Sequence, residues 1–299
     1  MQHVLVFICR PDQPALDDSM LKSVRARLDA LGAESAPPVW LDKDIACDMG
    51  FDGIDGEQAV AAARQVLAGR PVDVAALPAE GRRKALLVAD MESTMIENEM
   101  LDELAEFLNL RQHIAAITAR AMNGEIDFAG ALRERVALLK DLDQARLDEA
   151  AALIRIMPGA QTLIATMRAN GAYCALVSGG FTYFTDQVHR QLGFHSHHAN
   201  TLTVAGGKLA GTVGEPILGK EAKLDMLMKL AGERHLSLNQ AITVGDGAND
   251  LPMLQAAGLG VAYHAKPAVA ASVPVRIDHG DLTALLYLQG YRRDEFVAA

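Results

Sequence analysis

Ala85-Leu86-Leu87-Val88-Ala89-Asp90-Met91-Glu92-Ser93-Thr94 is the stretch from which the fold is read. Its first half is an apolar run of strand length that halts on an acid, as a buried parallel strand does at its carboxyl edge. Similar strings recur downstream. Residues 172–177 run into Ser178-Gly179-Gly180, residues 241–244 run into Gly245-Asp246-Gly247, and residues 259–262 follow soon after. Helical spacing fills the gaps at residues 160–170, 181–192, 220–231 and 250–256. This alternation predicts an α/β fold built on a doubly wound parallel sheet, in which ligands bind beyond the carboxyl ends of the strands.

Two insertions interrupt the alternation. Residues 98–156 are a long helical stretch, too large for a crossover and suited to a cap over the strand ends. Within residues 199–213, two strand-like segments flank Gly206-Gly207, a two-residue hairpin signal. Upstream, residues 4–8, 16–31, 39–51, 56–67 and 72–77 alternate strand-like and helix-like patterns and predict a small α/β unit. Breakers and charge at residues 78–84 mark a linker, whose Arg82, Arg83 and Lys84 read as a solvated connector. The expected division is residues 1–80 and residues 81–299.

Bulk properties limit the function. A chain of 299 residues exceeds the usual single domain, and with 50% hydrophobic residues it can build large cores. No apolar run approaches the ~20 residues needed to cross a bilayer. Met1 to Cys9 lack a basic flank and a cleavage site, so no signal peptide is read and the cytoplasm is the expected compartment. A formal charge of −10 disfavours nucleic acid and anionic membranes, which points to a small-molecule partner. Cys9, Cys47 and Cys174 are odd in number and set in apolar strings, as buried thiols are. His195, His197 and His198 read as a solvated loop without acidic or cysteine partners, and Asp141, Asp143, Asp148 and Glu149 as an exposed helical face.

The chemistry lies at the strand ends. Asp90 and Glu92 place two carboxylates at alternate positions, one able to attack and the other to move a proton. Ser178-Gly179-Gly180 offers a hydroxyl and backbone N–H groups for an anion. Lys223 can supply a cation, and Gly245-Asp246-Gly247-Ala248-Asn249-Asp250 sets two acids and an amide among glycines at a strand-to-helix corner. Each alone has an ordinary structural explanation. Together they supply what phosphoryl transfer from a monoester requires: an oxyanion nucleophile, a divalent cation, donors for the phosphate oxygens and a nearby acid. Carboxylate ligands suit magnesium.

Asp90–Thr94, Ser178, Lys223 and the Gly245–Asp250 run together resemble the four ordered motifs of the haloacid dehalogenase superfamily of phosphatases. Residues 85–290 are similar to its phosphoserine-hydrolysing branch, including Glu99, Leu101-Asp102-Glu103-Leu104, Met122-Asn123-Gly124-Glu125-Ile126-Asp127-Phe128 and Leu132-Arg133-Glu134-Arg135-Val136. The first 80 residues resemble, in topology, the ACT-like regulatory module carried by some bacterial members. The resemblance implies hydrolysis of O-phospho-L-serine, the last step of serine biosynthesis, with Mg2+ as cofactor. It also implies Asp90 as nucleophile and metal ligand, Asp246 as a second ligand and Glu92 as a ligand through its backbone carbonyl. Ser178, Gly179, Lys223 and Asn249 would hold the phosphate, Glu99 the substrate ammonium and Arg135 its carboxylate. Met122 and Phe128 would close the pocket, and Asp250 would orient water or Lys223.

The family's second acid is normally aspartate, and here it is Glu92. One added methylene moves the carboxyl by up to ~1.5 Å. Two readings stay open: a cap adjusted to the longer side chain, or a slow or altered copy. The rival functions are the same chemistry on another small phosphomonoester, and a non-catalytic ligand sensor. Subunit number is open, a homodimer included.

Overall fold

A computed structural model describes residues 1–122 and 125–298, apart from the side chains of residues 119, 121, 122 and 220. The amino-terminal part comprises β1 His3–Cys9, α1 Asp18–Asp29, β2 Glu34–Ser35, β3 Val39–Asp42, β4 Ala46–Asp52, α2 Gly56–Val66 and β5 Val72–Pro78. Its antiparallel sheet runs β2-β4-β1-β5, with β3 added on β4. Asp17 and Asp55 cap the two helices by accepting the N–H groups of Met20 and Gln58. Such caps contribute about 1 kcal/mol each. Leu21, Val24 and Leu28 on α1 and Ala59, Ala62 and Ala63 on α2 recur at helical spacing and are the buried faces.

The second sheet is parallel throughout and runs β13-β12-β11-β6-β7-β8. Its strands are β6 Leu86–Ala89, β7 Tyr173–Phe181, β8 Ser196–Asn200, β11 Ala241–Gly245, β12 Leu259–Tyr263 and β13 Val275–Ile277. The strand that enters first, β6, sits between β11 and β7, so the order reverses there and a crevice opens at its carboxyl end. All four β6 side chains are fully buried, which is why this strand reads as an unbroken apolar run rather than an alternating one. Burying each leucine or valine contributes about 2 kcal/mol.

Helices α3 Met100–Glu106, α4 Arg111–Met122, α5 Phe128–Ala137 and α6 Ala145–Ala151 form the cap, and α7 Ala160–Ala169 returns the chain to the sheet. The cap leaves and re-enters through a paired stem. Glu97 N–H donates to Arg155 O, Asn98 Oδ1 accepts Arg155 N–H at 2.8 Å, and Met157 N–H donates to Met95 O. Helix α8 Thr182–Leu192 ends on Gly193 at φ 79°, a left-handed closure that favours glycine. Strands β9 Leu202–Ala205 and β10 Lys208–Val213 form the expected hairpin. Helices α9 Lys220–Glu233, α10 Leu251–Ala256, α11 Pro267–Ala270 and α12 Ala284–Leu288 complete the chain.

Four expectations need correction. The strand at β7 does not stop before Ser178 but continues through Phe181, with a register break after Val177. The histidine stretch is not a solvated loop: His197 and His198 are half-buried on β8, and Asp186 lies beside His197. Asp141 and Asp143 are exposed as expected but precede α6 instead of lying on it. The connector's basic residues are tied down. Arg82 donates to Asp48 Oδ1 at 3.1 Å and to the carbonyls of Leu288 and Tyr287, Arg83 lies over the Tyr291 ring, and Lys84 Nζ donates to Gly81 O and Asn239 O. Charged residues after a breaker look like a solvated linker in sequence because partners such as Asp48, Asn239 and Leu288 lie 34, 155 and 206 positions away.

The two sheets share one apolar core that runs from Val4 to Tyr291. Asp73 on β5 fastens them further, accepting the N–H groups of Asp278, His279 and Gly280 at 2.8, 3.1 and 2.8 Å. All three cysteines are buried and free.

Candidate active site

Asp90 lies one residue beyond β6, its own N–H bonded to Val244 O on β11, so the sheet itself fixes its backbone. Oδ1 of Asp90 accepts Met91 N–H at 2.8 Å and faces Lys223 Nζ at 2.7 Å. Lys223 comes from the first turn of α9 and also donates to Asp250 Oδ1 at 2.5 Å. Asp250 Oδ2 in turn accepts Gly247 N–H at 3.0 Å. Three charged groups from three segments are thus buried together, at 5% exposure or less. Burial raises the Asp90 carboxyl well above its ordinary range, with the Asp250 charge adding to this and Lys223 opposing it. Removing either partner would leave an uncompensated buried charge.

The Gly245–Asp250 corner is tight because of contact, not because of left-handed backbone. A Cβ on Gly245 would fall 2.7 Å from Asp250 Cβ. Glycine is therefore needed to let the Asp250 side chain fold back toward Lys223. Oxygen atoms of Asp90, Asp246 and Asp250 lie within 4.8 Å of one another. This all-carboxylate set fits a hard divalent cation.

Above these acids is a cavity of about 550 Å3, and Glu92, Glu99, Phe128, Arg135, Gly179 and Asn249 are among its walls. Glu92 reaches up to the cap, where its Oε1 accepts the N–H of Met100, the first residue of α3, at 2.9 Å. Burial, with the nearby Glu99 charge next, pushes Glu92 up to about 7. On its other side, a Cβ on Gly180 would stand 2.9 Å from Glu92 Oε2. The longer acid is therefore held from both sides. Glu99 is raised chiefly by burial and held by Ser93 Oγ, which donates to Glu99 Oε1 at 2.8 Å. Ser93 adopts φ 55°, the bend that turns its hydroxyl back toward the cap.

Arg135 reaches the cavity from α5, where its Nε donates to Ala131 O at 3.2 Å. Burial lowers its pKa, the acids Glu92, Asp102 and Glu99 oppose this, and among the described residues no carboxylate stands within ion-pair distance of it. A half-buried guanidinium without a carboxylate partner is poised for an anionic ligand. Phe128 packs over Gly179, where an added Cβ would meet the ring at 3.2 Å.

The sequence-derived residues thus converge from strands β6, β7 and β11, the first turn of α9, and the cap. Ser178 and Lys223 are buried beside the cavity-lining residues Gly179 and Asp90, and Ser178 Oγ accepts Gly180 N–H at 2.9 Å, so that N–H is already engaged. Asp246 lies at the cavity with Lys266 Nζ 3.4 Å from its Oδ2. Met122 ends α4, but its side chain is outside the described residues. Sequence reasoning missed Lys266, whose signal was its place just past the carboxyl end of β12, and missed Ser93, which held no pattern of its own.

The chain matches the haloacid dehalogenase-like hydrolase family over residues 87–255. It is 40% identical over 256 residues to a phosphoserine phosphatase of Streptomyces coelicolor, covering 85% of this chain but only 62% of that protein's length. It is 45% identical over 203 residues to a phosphoserine phosphatase of Lactococcus lactis, covering 68% of this chain and 94% of that one. Among solved structures, a probable phosphoserine phosphatase of Vibrio cholerae in unliganded form superposes with a TM-score of 0.79 at 31% identity, covering 98% of this chain and 88% of the other.

Proposed function

The chain belongs to the haloacid dehalogenase-like hydrolases, and from that premise we propose that it hydrolyses O-phospho-L-serine to L-serine and phosphate through a phospho-aspartate on Asp90. The observation that carries the reading is the pinning of one Asp90 oxygen. Lys223 and Met91 N–H both engage Oδ1 of an aspartate that lines the cavity, which leaves Oδ2 as the oxygen to attack.

In the first step Oδ2 of Asp90 attacks phosphorus in line and the bond from phosphorus to the serine oxygen breaks, while Glu92 delivers its proton to that departing oxygen. In the second, the ionised Glu92 takes a proton from water, the water oxygen attacks phosphorus, and the acyl phosphate bond breaks to regenerate Asp90. Lys223, Ser178, Gly179 and Asn249 hold the phosphate oxygens in both steps. Asp90 and Asp246, with the backbone carbonyl of Glu92, would hold magnesium, which neutralises charge between the nucleophile and the phosphate. Asp250 keeps Lys223 in place.

Substrate choice follows from charge. Glu99 takes the ammonium and Arg135 the carboxylate, with Phe128 closing over the substrate. A sugar phosphate offers Glu99 no ammonium. Among the described residues no helix is long and apolar enough to cross a membrane, in keeping with a small-molecule enzyme of the cytoplasm acting at the last step of serine biosynthesis. The antiparallel unit at residues 1–80 would be an ACT-like regulatory domain beside the phosphatase domain of residues 81–299.

Phosphate release from L-phosphoserine, phosphothreonine and a sugar phosphate, each with and without magnesium, tests the proposal. Release from phosphoserine alone, abolished by chelation and by Asp90→Asn, is expected. Turnover retained in Asp90→Asn would remove the covalent route, and preference for the sugar phosphate would remove the substrate.

A further inference from the structure

Helix α8 and the edge strand β8 bring together three side chains that the phosphatase chemistry does not use. Asp186 and His189 lie three apart on α8 and so share a face, and His197 on β8 meets that face. One potential ligand atom from each lies within 4.8 Å of the other two. Thr185 Oγ1 lies 2.8 Å from His197 Nδ1 and 3.3 Å from Thr182 O, and a hydroxyl can serve the imidazole as donor or as acceptor. His197 Nε2 lies 3.7 Å from Asp186 Oδ1, longer than a charge-assisted hydrogen bond.

Two further observations point to a ligand in that gap. His189 Nδ1 is a buried atom with no hydrogen-bond partner, a condition uncommon in native proteins. Arg190 Nη2 engages Asp186 Oδ2 at 2.8 Å, which orients the carboxylate and leaves Oδ1 turned to the histidines. Beside the cluster is a cavity of about 420 Å3, with Thr182, Tyr183, Leu202 and Val204 among its walls, which gives access from solvent.

We propose that Asp186, His189 and His197 form a second cation site, selective for a zinc-class transition metal and separate from the carboxylate site at Asp90. Two imidazoles and one carboxylate are a zinc-type donor set, and three protein ligands leave a fourth position for water from the adjoining cavity. Magnesium prefers an all-oxygen set and is not expected here. Thr185, 2.8 Å from His197 Nδ1, is the outer-shell partner that would hold this ring with Nε2 toward the ion. The bound ion clamps α8, which follows directly on the Gly179-Gly180 segment, to the sheet edge.

Equilibrium dialysis of the full chain against zinc, with magnesium in excess to fill the oxygen site, tests this. A single zinc per chain is expected, kept in Asp246→Asn and lost in His189→Gln/His197→Gln. Thr185→Val should weaken zinc by about 10- to 100-fold, the range seen when outer-shell partners are removed. Cobalt(II) in place of zinc should give the visible ligand-field bands of a four-coordinate nitrogen and oxygen site in the wild type and not in the histidine variant. Should that variant fail to fold, the Thr185→Val affinity and the cobalt spectrum of the wild type decide. Zinc affinity unchanged in Thr185→Val, zinc lost in Asp246→Asn, or a cobalt spectrum of octahedral oxygen type would each overturn the proposal.

Discussion

Glu92 Oε1 accepts the backbone N–H of Met100 at 2.9 Å, a bond that joins the catalytic loop to the first turn of the cap. Its partner oxygen stands against Gly180. The longer acid is therefore seated in a place shaped for it, which favours the first of the two readings left open by the sequence.

Shortening this side chain should harm the enzyme. In Glu92→Asp the carboxyl retreats by about one methylene from Met100 N–H and from the leaving oxygen, and a misplacement of ~1 Å can cost on the order of 10²-fold in rate. A fall in kcat with little change in KM is expected from steady-state phosphate release. A rise in kcat would show that glutamate geometry limits the wild-type rate.

Gly180→Ala approaches the same acid from the opposite side. Its Cβ would lie 2.9 Å from Glu92 Oε2 and 3.1 Å from Ser178 Oγ, so the carboxylate must move while the strand stays paired. The expected outcome is a loss of kcat comparable to that of Glu92→Asp, with the melting temperature nearly unchanged. A variant that melts normally and turns over at the wild-type rate would show that Glu92 tolerates displacement.

Lys223→Met removes the cation between Asp90 and Asp250, which lie 2.7 and 2.5 Å from its Nζ. Breaking a buried pair by removing one partner typically costs about 3–5 kcal/mol, because a buried charge is left uncompensated. Denaturant unfolding should show that loss together with abolished turnover. Stability within about 1 kcal/mol of the wild type would place Lys223 in a far more hydrated setting than its 2% exposure implies.

Arg135→Ala should act on recognition. A hydrogen bond to a charged group is worth about 1.5–3 kcal/mol, or roughly 10- to 150-fold in kcat/KM for a substrate that has a carboxylate. Phosphoethanolamine has the ammonium and phosphate but no carboxylate, so the wild type should prefer phosphoserine by that margin and the variant should not. Equal loss on both substrates would show that Arg135 acts on the phosphate or on packing.

Asp73→Ala leaves three backbone N–H groups at residues 278–280 without their acceptor. Each unsatisfied buried donor costs about 1–3 kcal/mol. The variant should melt several degrees lower, and hydrogen exchange at residues 278–280 should accelerate before that of β6. Unchanged exchange there would mean that water replaces the carboxylate without penalty.

The sequence by itself determined the parallel sheet and the acids at its strand ends. A strand buried on both faces must be apolar throughout, and a charge at its tip marks where the burial stops, so residues 85–94 carry their own reading. Hairpin and helix placement were legible for the same local reason. Only the tertiary structure decided what those residues meet. Lys223 looks like any helical lysine until α9 packs beside β6, Lys266 follows a strand end that gave no sign of its target, and Arg82 reads as linker until residues 287 and 288 fold over it. The cost of a buried charge is set by partners distant in the chain, and that information exists only once the chain has folded.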